Sequence, residues 1–238
     1  MPNHVMNIIK MKGITKLPLF SKDENGSRSF DFNKLVPMPE SLSMTSGSSE
    51  TLAITFALER IKNSLGRTSI AISSHCERDL EDRVEKHLKS EWNKENTREE
   101  LIELGIQYLR NAALYGSTSW YDWCVRKWGT KWNAYSYEEI NEDEICFETA
   151  WNMPEPVIEK LAEMYQDVKI EHWWADEDMG NNSGYYVYHK GGRTGGYDCS
   201  DEEAYENYVK CWGETNCLYK DENGKWKRRS CEECKECY

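Results

Sequence analysis

The sequence has 238 residues and a formal net charge of −12, and 39% of its residues are hydrophobic and 12% aromatic. This length and composition suit one domain with a small appendage and exclude a wholly disordered chain. The negative charge disfavours nucleic acid as a direct partner, and the absence of long apolar runs and of a signal layout predicts a cytoplasmic protein without a membrane span.

The first half of the chain predicts one strand followed by three helices. Residues 4–12 have the alternating pattern of a strand. The three helices are expected to begin at Ser48 or Ser49, near residue 75, and at the capping box Thr97–Glu100. The apolar seam expected for the first of them is Ile54, Ala57, Leu58, Ile61 and Leu65. We interpret residues 48–114 as a helical insertion.

The most aromatic part of the chain lies between Trp120 and Trp174 and should hold the core, because aromatic side chains bury large areas. The aromatic stripe around Trp128 has helical spacing, which favours core packing over a ligand box. Alternation predicts strands at 131–137, 144–151, 168–174 and 184–189, with a helix at 153–165. In the second strand, Trp151 is expected to be buried.

The order of these elements predicts an α+β fold. A strand, helices, two strands, a helix and two strands correspond to a ferredoxin-like βαββαβ sheet with one added strand. Residues 1–190 would form this domain. The sequence GGRTGG at 191–196 is typical of a flexible hinge and would begin a Cys-rich appendage over 191–238 that contains a hairpin between Cys217 and Cys231.

The appendage contains a candidate structural zinc site. Its candidate ligands are Cys211, Cys217, Cys231, Cys234 and Cys237. Cys231 and Cys234 have the C-x-x-C spacing of a zinc knuckle, and the hairpin would bring a second pair beside them. Disulfides, which a reducing cytosol disfavours, and a metal-free Cys-rich tail are the alternatives.

Two acidic clusters and a tandem tryptophan form a candidate partner-binding surface. The residues are Glu142, Asp143, Glu144, Trp173, Trp174, Asp176, Glu177 and Asp178. An aromatic anchor beside a charged rim is typical of protein interfaces, and such charges would steer the protein onto a basic partner. The alternative is that the carboxylates are ordinary solvated surface and that one tryptophan lies in the core.

His172, together with Asp176 and Asp178, is the main candidate for acid–base or metal chemistry. A hydrolytic site usually needs further His, Asp or Glu residues on neighbouring strands. If His172, Asp176 and Asp178 did form such a site, the protein would be a small metal-dependent enzyme acting on nucleotides or nucleic acid, and this is the alternative function.

Several blocks resemble a known family. They are MPNHV-x-N at the start, DFNKLVPMPESL (31–42), WYDWCVRKWGTKWNAY (120–135), FETAWNMPEPVIEKL (147–161) and EHWWADED-x-G-x-N-x-GYYVYH (171–189). The sequence resembles an uncharacterised phage and mobile-element family of Api-like proteins with a ferredoxin-like domain, over roughly 1–45 and 115–190. The resemblance implies a ferredoxin-like fold without an iron–sulfur cluster and an accessory gene product of the bacterial cytoplasm. It implies no reaction.

The function that the sequence favours is non-catalytic. We expect a phage or mobile-element accessory protein that binds a host protein with a basic surface. Its concrete form would be an inhibitor of a defence or nucleic-acid-handling complex.

Overall fold

The computed structural model describes residues 3–64, 74–90 and 97–234, apart from the side chains of 74–78, 201, 202 and 231. The chain divides into two compact units, residues 1–37 with 124–238, and residues 38–123. Within the described ranges, no helix combines the length and the apolar character that crossing a bilayer requires.

The unit formed by 1–37 and 124–238 is built on a six-stranded antiparallel sheet. Its strands are β1 (His4–Met11), β4 (Tyr135–Asn141), β5 (Glu144–Ala150), β6 (Ile170–Asp176), β7 (Ser183–His189) and β8 (Gly192–Asp198). Their spatial order is β4-β5-β1-β6-β7-β8. Two short hairpins accompany the sheet, β2 (Phe20–Lys22) with β3 (Arg28–Phe30), and β9 (Leu218–Lys220) with β10 (Trp226–Arg228).

Seven α-helices occur in the described residues. They are α1 (Ser48–Ser64), α2 (Ser74–Leu88), α3 (Arg98–Tyr115), α4 (Trp120–Lys127), α5 (Glu155–Met164), α6 (Asp201–Trp212) and α7 (Cys231–Cys234). The predicted capping box closes the start of α3, where Thr97 and Glu100 bond each other's backbone amides.

The predicted α+β class and ferredoxin-like shape are confirmed. Strands β1, β4, β5 and β6, with α5 between β5 and β6, have the order β4-β5-β1-β6 that the βαββαβ unit gives. The prediction of one added strand was wrong, because both β7 and β8 extend the sheet beyond β6. Residues 191–196, expected to be a flexible hinge, instead lie in the β7–β8 hairpin, with His189 paired to Gly192 and Val187 to Gly195.

The face of the sheet that packs against α5 forms the main core. Strand alternation places Val5, Ile9, Phe147 and Trp174 on this face, and all four are buried. Three side chains of α5 join them as fully buried residues, Val157, Ile158 and Leu161. The aromatic stripe also belongs to a core, as predicted, since Trp123, Cys124 and Trp128 are buried.

Helix α6 packs on the opposite face and belongs to the same unit as the sheet. The Nδ2 group of Asn207 donates hydrogen bonds to the carbonyl oxygens of Trp174 (2.6 Å) and Gly184 (2.9 Å). Trp212 donates from Nε1 to the carbonyl of Ala175 at 2.9 Å. The predicted domain boundary after residue 190 therefore falls inside a hairpin whose continuation is bonded to the sheet.

The unit formed by 38–123 has its own core between α1, α2 and α3. Of the seam predicted for α1, Ala57 is buried as expected, but Leu58 and Ile61 are exposed while Ala53 and Phe56 are buried, and Leu65 lies outside the described residues. The reason is a close helix contact: a Cβ atom on Gly105 of α3 would lie 2.2 Å from the carbonyl oxygen of Ala53. The small residues therefore determine which face of α1 meets α3.

Candidate binding surface

Trp151, which the strand pattern predicted to be buried, is 42% exposed. Its φ of 72° is in the left-handed region, which few residues other than glycine adopt. This conformation ends β5 one residue early, so the in–out alternation stops at Ala150. The backbone at this position therefore presents a large aromatic ring to solvent.

Hydrogen bonds hold the Trp151 backbone in place on both sides. Its N–H donates to the carbonyl of Asn3 at 2.9 Å, and its carbonyl accepts from Nδ2 of Asn182 at 3.0 Å. Asn182 also has a left-handed φ, of 37°. Because strained backbone persists only where its surroundings enforce it, such positions cluster at functional sites.

Asp176, a predicted partner-binding residue, is buried and organises this network. Its carboxylate accepts hydrogen bonds from Nδ2 of Asn3 (3.2 Å), from the N–H of Asp178 (2.9 Å) and from Nδ2 of Asn182 (3.3 Å). With 5% exposure, its side chain is occupied by the protein itself. Asp176 supports the loop between β6 and β7 and does not present a carboxylate to a partner.

Glu177 and Asp178 follow on this loop and are exposed. Oε1 of Glu177 accepts from the N–H of His4 at 3.1 Å, while its own N–H donates to the carbonyl of His4 at 2.8 Å. Trp151 and Glu177 thus bond to consecutive residues of the β1 start. We define the Trp151 end as the surface formed by Trp151, Glu177 and Asp178.

The other predicted acidic cluster lies at the opposite end of the sheet. Glu144 is paired with Lys10 at the end of β1, whereas Asp176 is paired with Val5 near its start. Five strand positions separate these pairs, which corresponds to about 17 Å. Glu142, Asp143 and Glu144 therefore do not form one patch with the β6–β7 loop, as the sequence had suggested.

The carboxylates at this opposite end are partly satisfied by the protein. Glu142 forms an ion pair with Lys16 at 2.5 Å, and Asp143 accepts the N–H of Gly13 at 2.6 Å. Glu144 accepts a hydrogen bond from Nδ2 of Asn141 at 3.3 Å.

The two adjacent tryptophans of β6 have different environments. Trp174 is 3% exposed and lies on the core face, so it cannot serve as an exposed anchor. Trp173 is half-buried, since its ring stacks on Tyr185 at 4.8 Å and the Nζ atom of Lys210 lies 4.1 Å from its centroid. Trp173 therefore stays the candidate anchor of this pair, and Trp151 is a further exposed aromatic side chain.

Lys131 and Trp132 lie beside Trp151. The Nζ atom of Lys131 is 4.5 Å from the ring centroid of Trp132 and 5.0 Å from that of Trp151. Both distances are within the range of a cation–π interaction. One ammonium group therefore contacts two indole rings.

A hydrogen-bonded cluster of His4, Tyr135 and Glu148 supports this region. His4 Nδ1 lies 2.7 Å from the Tyr135 hydroxyl and 3.2 Å from Oε2 of Glu148. The hydroxyl also lies 3.1 Å from the carbonyl of Thr149, to which it donates. Burial, helped by Glu148 and Glu177, raises the pKa of Tyr135 to about 12, which keeps the donor neutral.

His172, the residue proposed for chemistry, is fully buried on the core face. Its Nε2 atom lies 3.0 Å from Oδ1 of Asn7, and burial lowers its pKa to about 3. Within the described ranges, no group of three or more His, Cys, Asp or Glu side chains is arranged to hold a metal ion. His172, Asp176 and Asp178 are thus not brought together as the enzyme alternative requires.

The candidate zinc ligands are only partly described. Cys217 and Cys234 are buried, and the carbonyl of Cys217 accepts the N–H of Arg229, two residues before Cys231, at 2.8 Å. The Cys231 side chain and Cys237 lie outside the described residues. Burial raises the pKa of Cys211 to about 12, and the thiols that act on it are Cys199 and Cys146. The zinc site stays a prediction.

The sequence contains no local signal for the Trp151 end. His4 and Tyr135 are 131 positions apart, and only the pairing of β4, β5 and β1 brings them together. The residue types around Trp151 do not indicate that its backbone is left-handed. A predicted strand pairing could have indicated the cluster, because Tyr135 lies opposite Glu148 and His4 opposite Ala150.

The matching family model agrees with the ferredoxin-like fold. Residues 127–219 match a family model described as the ferredoxin-like domain in Api92-like protein. A crystal structure of the protein Api92 from Yersinia pseudotuberculosis is similar over 84% of this chain and 99% of that chain, with 13% identity and a TM-score of 0.39. No curated protein matches the chain. The matched segment runs past residue 190, as do β8 and α6. Residues 127–219 are thus similar to the ferredoxin-like domain of the Api92-like proteins, an uncharacterised family.

Proposed function

We propose that the protein is a non-catalytic accessory protein of a phage or mobile element. It acts in the bacterial cytoplasm by binding a host protein with a basic surface. Its concrete role is to inhibit a defence or nucleic-acid-handling complex by occupying a basic groove. The observation that carries the proposal is the exposed Trp151 ring, whose strained backbone lies at the same end of the sheet as the exposed residues Glu177 and Asp178.

An exposed tryptophan with a fixed backbone is a suitable interface anchor. Tryptophan is enriched among the residues that dominate binding energy, and a preorganised side chain loses less entropy on binding. Trp151 meets both conditions, because hydrogen bonds to Asn3 and Asn182 hold its main chain.

The charges at the Trp151 end support a basic partner. In the part of the chain that the structure describes, neither Glu177 nor Asp178 forms an ion pair, whereas Glu142 is paired with Lys16. Charges that the protein itself does not neutralise can steer a basic partner and complement it at the rim. The overall charge of −12 also attracts a basic partner.

The experiment identifies a partner and then maps its contact. The wild-type protein is used to recover a partner from host lysate, and affinity is measured for wild type and Trp151→Gly at low and high salt. We expect Trp151→Gly to speed dissociation and salt to weaken wild-type binding. A partner whose affinity is the same for Trp151→Gly and at high salt as for the wild type at low salt would contradict the proposal.

A further inference from the structure

The contact of Lys131 with two tryptophans identifies a place that accepts a cation. Its Nζ atom is within 5.0 Å of both ring centroids, those of Trp132 and Trp151. The faces of indole rings carry negative potential, so two rings around one point bind a cation more strongly than one ring does. The ammonium of Lys131 thus stands in for the cationic group of a ligand.

The geometry of this place does not depend on Lys131 alone. The main chain of Trp151 is fixed by Asn3 and Asn182, and Trp132 contacts the Tyr135 ring with 6.4 Å between centroids. Tyr135 is in turn bonded to His4 and to the Thr149 carbonyl. Both rings therefore have supports besides the lysine that lies between them.

The exposed carboxylates of Glu177 and Asp178 lie at the same end of the sheet as Trp151. Glu177 is bonded to the N–H of His4, and residue 3, which precedes it, accepts the N–H of Trp151. Asp178 is exposed on the same loop. Negative charge at this end of the sheet attracts a cationic side chain of a partner during its approach.

We propose that Trp132 and Trp151 form a receptor for an arginine side chain of the partner, and that Lys131 occupies this receptor in the unbound protein. The inference rests on the proposed function and names the chemistry that its partner presents. Arginine is the suited cation because its planar guanidinium stacks on aromatic rings and is more weakly hydrated than an ammonium group. Lys131 acts as an internal competitor that the incoming arginine displaces.

The test uses the full chain and a Gly-Arg-Gly peptide, with Gly-citrulline-Gly as the neutral isostere. Binding is followed by NMR through the indole N–H signals of Trp132 and Trp151. Removing the competitor in Lys131→Met should tighten arginine-peptide binding about two- to fivefold, the equivalent of one exposed cation–π contact. Trp151→Gly should lose the binding, and glycine suits the left-handed backbone at this position, so the fold is retained.

Lys220→Met is the charge-matched control. The Lys220 ammonium lies 4.9 Å from the Trp226 ring in the β9–β10 hairpin, so this variant also removes a lysine that contacts a tryptophan. Its arginine-peptide affinity should equal that of the wild type. The proposal is overturned if Lys131→Met binds no tighter than Lys220→Met, if Trp151→Gly binds as the wild type does, or if citrulline binds as well as arginine.

The outcome is separable from that of the proposed function. If a partner depends on Trp151 but the peptide does not bind Lys131→Met at any soluble concentration, the arginine receptor is wrong and the docking surface stands. If the peptide binds as expected but the partner ignores Trp151, the receptor stands and the proposed docking surface is wrong.

Discussion

Asn182 donates a hydrogen bond from its side chain to the carbonyl of Trp151 at 3.0 Å, and both residues have left-handed backbone. The same Nδ2 group lies 3.3 Å from Oδ2 of Asp176. The loop that follows β6 therefore fixes the turn that follows β5. A buried carboxylate thus holds the asparagine that bonds the main chain of an exposed tryptophan.

Trp151, which is exposed, and Trp174, which is buried, should differ in their contribution to stability. Trp151→Gly should change the free energy of unfolding by less than about 1 kcal/mol, because relief of the left-handed strain offsets the lost partial burial. Trp174→Ala should cost about 3–5 kcal/mol as a large-to-small change in the core. Urea denaturation measures both values, and similar losses for the two variants would contradict the assigned burial.

Burial of His172 predicts a specific pH dependence. Its pKa is lowered to about 3 in the folded protein, against about 6.5 in an unfolded chain. Between these values the unfolded state binds more protons, so the free energy of unfolding falls as the pH decreases from about 6.5, by roughly 1.4 kcal/mol per unit at most.

The His172→Gln variant isolates this effect. Since the remaining titrating groups are common to both proteins, the variant should show a flatter decline than the wild type between about pH 7 and pH 5. Equal slopes in urea unfolding experiments would mean that the His172 imidazole reaches solvent in the folded protein.

The bonds from α6 to the sheet predict that residues 191–238 are needed for stability. Asn207→Ala should lower the free energy of unfolding by about 1–3 kcal/mol, because it leaves two buried carbonyls without their donor. Glu206→Ala, an exposed position on the same helix, is the control and should stay within about 0.5 kcal/mol of the wild type. A deletion of 191–238 that unfolds like the full chain would show that α6 contributes nothing to the sheet.

The zinc prediction is tested by metal content. Purified protein should contain about one equivalent of zinc, and a chelator should lower its melting temperature, because metal binding contributes folding energy. Cys231→Ser combined with Cys234→Ser should abolish the metal, whereas Cys146→Ser should retain it. Wild-type protein that contains no zinc, and whose melting temperature does not change when a chelator is added, would rule the site out.

Much of the fold could be predicted because its signals are local. Alternation located β5, β6 and β7 within one or two residues, and capping chemistry located the start of α3. The added strand β8 was missed, because three of its seven residues are glycine and only Thr194 and Tyr197 are of the β-branched or aromatic type that marks strands. Its pairing comes from the adjacent β7, which supplies a free edge.

The candidate surface was less predictable, because its residues come together only through tertiary structure. The sequence indicated the Glu177 and Asp178 loop as acidic, and this loop is exposed. It could not distinguish the buried Asp176 from its neighbours, since the difference depends on Asn3 and Asn182. Nor could it show that the 142–144 cluster lies at the other end of β1.

The central claim is that the Trp151 end, and not the opposite end, contacts a basic partner. Its most direct test compares two variants of equal charge change, Glu177→Lys with Asp178→Lys, and Glu142→Lys with Glu144→Lys. Partner association rates are measured for both and for the wild type at about 50 and 200 mM salt, which changes the screening length. We expect reversal at the Trp151 end to slow association and remove most of its salt dependence, while the opposite end stays within about twofold of the wild type. Equal effects of the two variants, or a larger effect of the Glu142 and Glu144 reversal, would contradict the account.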